Sequence, residues 1–234
     1  HEPSTTVGDY RRSVVESLFT HALNERFTDL ARRADAKFLG AGAGSSALSP
    51  DVDTFGLNAR VVDGGIADGL AALEVEANRM RRFGVTASEL ERGKRWMLSF
   101  YERAYNEREK NESASYAQEY LSHFLNDEPS PGIAYEYRLV QQLLPAVTLD
   151  DVTALARARL EGEWHVVLAV SPEKEGVAPA READLRAALT AADAVAVTAW
   201  SDAAADQPLL ARKPAPGRVV SRRQLDQLGV TVIT

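Results

Sequence analysis

Cysteine is absent from all 234 residues, which excludes a thiolate nucleophile, a thiolate metal site and a disulfide framework, and leaves the redox compartment open. A basic excess is missing too. With 34 acidic against 27 basic residues the net charge is -7, which argues against binding the phosphate backbone of nucleic acids. The short basic clusters Arg79–Arg82 and Arg218–Arg223 do not reverse that balance. No apolar run approaches the ~20 residues needed to cross a bilayer, and the opening residues carry no basic start followed by an apolar middle. Histidine is scarce: the four, at positions 1, 21, 123 and 165, are too scattered to pair at helical spacing. What is present is ordinary for a soluble globular protein, 45% hydrophobic and 26% charged, enough for one large or two small domains. The start at His1, without methionine, leads us to expect a piece of a longer or processed protein.

The most informative stretch is Phe83–Lys94. Gly84 is suited to ending one helix in a left-handed conformation, and Thr86 with Glu89 three residues on forms a capping box that opens the next. Around this boundary the chain reads as mostly helical. Asp9 is expected to cap a helix reaching about Arg33, with Val14, Leu18, His21, Leu23, Phe27 and Leu30 on one broad stripe. Residues 38–48 and 54–62 read as an antiparallel strand pair with a turn at Pro50. Helices then follow at Ile66–Phe83, from Thr86 towards Asn111, at Asn111–Phe124 and at Ile133–Leu144, and a short one opens at Thr148 and runs through Leu160. Trp164–Val170 is an apolar, β-branched run that reads as a strand buried on both faces. Beyond Ser171 and Pro172 the composition shifts to Ala, Asp and Pro, with a helix at Ala183–Ala192 and then an extended linker punctuated by Pro208, Pro214, Pro216 and Gly217. The expectation is an α+β fold in which helices cover one face of a mostly antiparallel sheet, with further strands lying upstream of His1.

Candidate chemistry is thin. Inverted zinc-peptidase chemistry needs His-x-x-Glu-His on a helix, and the chain does not contain it. The best local metal-binding guess is Glu119, His123 and Asp127, four residues apart on one helix face, although a solvated helical rim explains them better. His21 with Glu25 has the same form and a weaker claim. The Gly40–Ser46 run resembles a phosphate loop only superficially, since no lysine follows and no helix opens there. A glycine-rich strand close against a helix is the better reading. Ser45, Ser46 and Ser49 have no histidine in a triad order, and the charged run Glu102–Glu112 reads as a solvated helix face. The residues themselves therefore nominate no catalytic, cofactor-binding or metal-binding residue.

A resemblance adds to this. The Asp9–Arg12 helix with Leu23–Leu30, the strand pair, the helix to Arg82, Gly84–Leu90 with Lys94, and Leu144–Val152 resemble, in that order, the pitrilysin or insulinase-like zinc peptidases. The likeness is to the second module of their bacterial periplasmic members and covers about Gly8 to Val170. It implies a clam-shell of four related modules, with zinc bound in the first and the second packing against it to wall the chamber. On this basis residues 1–172 are expected to be a second module, and 173–234 a helix and Pro-rich linker leading to the following half. Arg212–Thr234 is similar to that lead-in. The zinc-binding module would precede His1, so none of the family's metal ligands, nor its catalytic glutamate, carries over to a residue here, and no cofactor is expected in this chain although zinc is implied for its parent. Arg26–Arg32 is similar to the arginine-leucine motif of such modules, but Asp35–Gly40 replaces the usual continuation and holds no tyrosine. The family's substrate-gripping arginine and tyrosine come from the second half, so a structural role is expected for Arg26. Implied partners are the preceding module, the following half and peptide substrates, and the implied compartment is the periplasm, with the cytoplasm as the other option. The competing expectation is a scaffold like the inactive subunits of processing peptidases.

Overall fold

Helix α1, Val7–Ala31, is the element around which the others assemble. Its buried residues, Val14, Val15, Leu18, Phe19, Ala22, Leu23, Arg26 and Phe27, cover more of the helix than the single stripe expected, because a strand pair packs on one side of it while the helices Ala87–Asn106 and Leu149–Leu160 pack on others. Phe19 and Leu23 are fully buried, each contributing roughly 1.5–3 kcal/mol of transfer free energy. The cap differs from expectation. Thr6, not Asp9, is the N-cap: its hydroxyl accepts from the Asp9 N–H at 3.1 Å while the Asp9 carboxylate accepts from the Thr6 N–H at 2.9 Å. Asp9 is thus the third-position partner of a reciprocal box, a geometry that satisfies two otherwise orphaned backbone donors at once.

The computed structural model describes residues 5–49, 52–161, 166–202, 212, 214–215 and 217–233, in two compact units, 1–201 and 202–234. Among the described residues the first unit holds seven α-helices and one antiparallel strand pair, β1 (Gly40–Ser49) with β2 (Val52–Arg60). The fold is α+β. The expected turn at Pro50 lies outside the described residues. In register, Ala41 faces Ala59, Ala43 faces Leu57 and Ser45 faces Phe55. The apolar members of these pairs pack against the core beside α1, and the Phe55 ring sits 5.1 Å from that of Phe19. The strand does lie close to the helix, but the alanines make the contact. A Cβ at Gly40, Gly44 or Gly56 would meet nothing within 4 Å, because alternate residues of a strand point to opposite faces. Asn24 of α1 seals part of the free edge of β1: its amide accepts from the Ala43 N–H at 2.7 Å and donates to the Ala43 carbonyl at 3.1 Å.

Helices α2 (Ile66–Phe83) and α3 (Ala87–Asn106) meet at the boundary singled out in the sequence. Gly84 has φ 65° and its N–H donates to the Met80 carbonyl at 2.8 Å. The same position is closed sterically, since a Cβ there would fall 2.1 Å from Thr153 Oγ1. Thr86 and Glu89 form the expected capping box. After a 3-10 turn at Arg108–Lys110 come α4 (Ser113–Asn126), α5 (Ile133–Leu143) and α6 (Leu149–Leu160). Thr148 and Asp151 box the start of α6. Helix α7, Glu182–Asp193, packs on α2. In the second unit, β3 (Arg222–Leu225) pairs antiparallel with β4 (Val230–Ile233), a short hairpin where the sequence suggested extended chain.

One expected element does not form among the described residues. Trp164 and His165 lie outside the described residues, and Val166–Val170 forms no strand. Far from being buried on both faces, Val166 is 96% exposed and Leu168 84%. β-Branched residues favour a pleated backbone only when a neighbouring strand supplies the ladder and the packing, and no such neighbour exists for this run among the described residues.

Candidate functional site

Arg26 is a buried charge, 1% exposed, with Glu76 and Glu89 buried as well. Its place near the C-terminal end of α1 points it at the α2–α3 boundary, where backbone and side-chain acceptors converge. Nε and Nη2 donate to the two carboxylate oxygens of Glu89 at 2.6 and 2.8 Å, Nη2 also donates to the Gly84 carbonyl at 2.9 Å, and Nη1 donates to Glu76 at 3.1 Å. The planar guanidinium fork suits this two-pronged grip on a carboxylate. Glu76 is held from its far side by Arg79 Nε at 2.8 Å. Burial disfavours the charge of Arg26, but Glu89 and Glu76 overcome that and hold its pKa above the ordinary arginine value. Burial pushes the Glu76 carboxyl up, a rise that Arg26 and Arg79 only partly offset.

Trp200 covers this centre. Its ring lies 5.2 Å from the Arg26 guanidinium carbon, 5.6 Å from that of Arg33 and 6.0 Å from that of Arg79, within cation–π range. The segment that carries it is tied to α2 by Asn78 donating to Asp193 at 3.0 Å and by Arg79 donating to the Thr198 carbonyl at 2.7 Å. Nothing local in the sequence links Trp200 to Arg26; only the return of the chain over α2 joins them. With its donors directed at acceptors and its face under an indole, Arg26 ties α1 to the α2–α3 boundary.

A second polar group joins α1, α3 and α5. The Tyr10 hydroxyl lies 3.0 Å from the Tyr101 hydroxyl and 3.4 Å from Glu136 Oε2. Burial raises the pKa of Glu136, the Tyr10 hydrogen bond lowers it and the nearby charge of Glu119 raises it further, for a net rise. Burial raises both tyrosines as well. These are neutral hydroxyls holding helices together, next to a carboxyl that keeps its proton more readily than usual.

The metal guess does not assemble. Glu119 accepts from Ser130 Oγ at 2.5 Å, His123 Nδ1 lies 2.6 Å from the Glu128 carbonyl, and Asp127 ends α4 in a left-handed conformation with φ 53°. His21 stacks on Trp96 at 4.2 Å, and burial lowers its pKa. Among the described residues no group of three or more His, Asp or Glu side chains could hold a metal ion, so the described residues do not fit zinc. Ser45 donates to Glu16 and Ser46 pairs with Thr54. No helix among the described residues is long and apolar enough to cross a membrane.

Comparison with known proteins places this architecture. No protein-family model matches the chain. In sequence it is 27% identical, over 229 residues and 98% of its length, to a zinc protease PQQL-like of Arabidopsis thaliana, of which it spans 21%. In structure it resembles the first half of the periplasmic protease PqqL from Escherichia coli, with a TM-score of 0.67 at 16% identity over 84% of this chain and 42% of that one. An insulinase family protease from Yersinia pestis gives a TM-score of 0.66 at 10% identity, over 82% and 41% of the two chains. The fold is that of insulinase-like peptidase halves. Sequence and fold together match a pitrilysin/insulinase-like family member, and the chain spans about a fifth of the length of the curated relative.

Proposed function

We propose that this chain is the second, non-zinc-binding module of a zinc-dependent endopeptidase, helping to wall a chamber in which peptides are hydrolysed by metal-activated water. The observation that carries the reading is the asymmetry of the sequence match: 98% of this chain aligns with only 21% of a zinc protease PQQL-like protein, as one module of a larger enzyme would. The interior agrees with it, since its buried charges are consumed in tying helices together around Arg26. On this reading residues 1–172 form the module, and 173–234 lead to the following half, with α7 folded back on α2. The zinc ligands belong to a preceding module, peptides are the substrates and the compartment is the periplasm, as in the PqqL neighbour.

The test uses the full-length polypeptide. A His-x-x-Glu-His motif is expected roughly 100–200 residues upstream of His1, a window of one domain length. The purified protein should contain stoichiometric zinc and lose peptide hydrolysis on chelation. A zinc-free, inactive full-length protein would make the parent a scaffold instead, and stoichiometric zinc bound by the 234-residue chain alone would contradict the assignment of the metal to another module.

A further inference from the structure

Helix α4 is turned the wrong way for a helix whose surroundings are complete. Tyr116, Tyr120, Leu121, Phe124 and Leu125 fall on one half of its circumference by the i, i+4 rule, yet none of its residues is buried. Phe124 is 82% exposed, Leu125 64% and Tyr120 63%. The half-buried positions are on the polar side, at Glu119 and Ser122, where Glu119 is engaged by Ser130 and feels the charge of Glu136. An amphipathic helix that keeps its polar edge inward and its aromatic face outward marks an interaction surface.

The charges on its own segment, which follows Arg108 and Lys110 directly, bear on what can cover that face. From Asn111 to Gly132 the chain carries Glu112, Glu119, Asp127 and Glu128, and no lysine or arginine. An anionic lipid surface would repel such a helix, since membrane-surface helices carry basic polar faces. We propose that the α4 face is covered by an apolar surface rimmed with lysine and arginine, belonging to the part of the same polypeptide that lies outside these 234 residues. The curated relative is about five times as long as the segment this chain matches, so a large tethered body is at hand, and tethering supplies an effective concentration on the order of millimolar without further contacts. The proposal rests on the reading that the chain is one module of a longer protein.

In the full-length protein, Phe124→Cys is treated with a thiol reagent under native conditions, and modification is read by mass spectrometry at that peptide, beside Arg186→Cys on the exposed side of α7. Position 124 should react at least about tenfold more slowly than position 186, the sign of a closed contact, and the protection should not change on dilution. Equal rates overturn the proposal. Protection that disappears on dilution, or that needs phospholipid vesicles, overturns it in favour of a second copy or a membrane. Tyr120→Cys should give the same result and guards against a local effect at one site. Zinc measured on the same samples separates the two readings: a zinc-free protein with position 124 protected removes the peptidase reading and leaves the docking surface standing.

Discussion

Replacing Arg26 with alanine should be the most damaging single change in the buried charge network. The substitution strands the carboxylates of Glu76 and Glu89, 1% and 3% exposed, and removes the donor from the Gly84 carbonyl. Breaking a buried pair from one side costs roughly 3–5 kcal/mol, far more than an exposed pair contributes. At 2–4 °C per kcal/mol for a unit of this size, a loss of about 4 kcal/mol lowers the Tm by about 8–16 °C. Arg11→Ala is the control: Arg11 meets Asp151 at 2.8 Å, but both side chains are partly exposed, 37% and 28%, and such a pair contributes ~0–1 kcal/mol. The assay is thermal unfolding followed by circular dichroism, repeated at several pH values. Glu76 already has a raised pKa in the folded protein, so in the window between its unfolded and folded pKa the native state binds more protons than the unfolded state and gains stability as pH falls. Loss of Arg26 widens that window, so the deficit of Arg26→Ala relative to the parent should shrink on acidification from about pH 7.5 towards pH 5. A Tm loss no larger than that of Arg11→Ala, or a deficit that grows as pH falls, would refute the reasoning.

Two further changes probe the same boundary. Gly84→Ala combines a positive φ with a Cβ 2.1 Å from Thr153 Oγ1, so urea unfolding should show a loss of about 2–5 kcal/mol, with part of it recovered in the Thr153→Gly background. Trp200→Ala should leave helices α1–α3 folded but release the arm that carries α7, seen as faster amide exchange across Glu182–Asp193 with little change in α1; unchanged exchange in α7 would mean that Trp200 does not hold the arm.

The elements legible in the sequence are those governed by local chemistry. Ile66–Phe83, the Gly84 stop and the Thr86–Glu89 box stand where the pattern puts them, because capping and helical periodicity act over three or four residues. The α1 cap was displaced by one partner, from Asp9 to Thr6, since both residues of a reciprocal box have cap-forming side chains. The strand expected through Val170 failed because a strand has no stability of its own and depends on a neighbour that sequence pattern does not specify. At the candidate site, the expectation of a structural role for Arg26 came from a family resemblance, whereas its partners did not: Glu76, Glu89 and Trp200 come from separate parts of the chain and carry no shared motif.

By itself the sequence determined which stretches are helical, the stop and restart at Gly84–Glu89, and the two-stranded pattern beside α1, together with the exclusions that follow from missing cysteine and scattered histidine. All of these depend on short-range spacing or on composition. Tertiary structure alone decided which helix is central, how the charge of Arg26 is neutralised, and that α4 turns its apolar side outward. Those outcomes depend on which surfaces meet, and two helices with the same amphipathic pattern can have opposite faces buried when their neighbours differ.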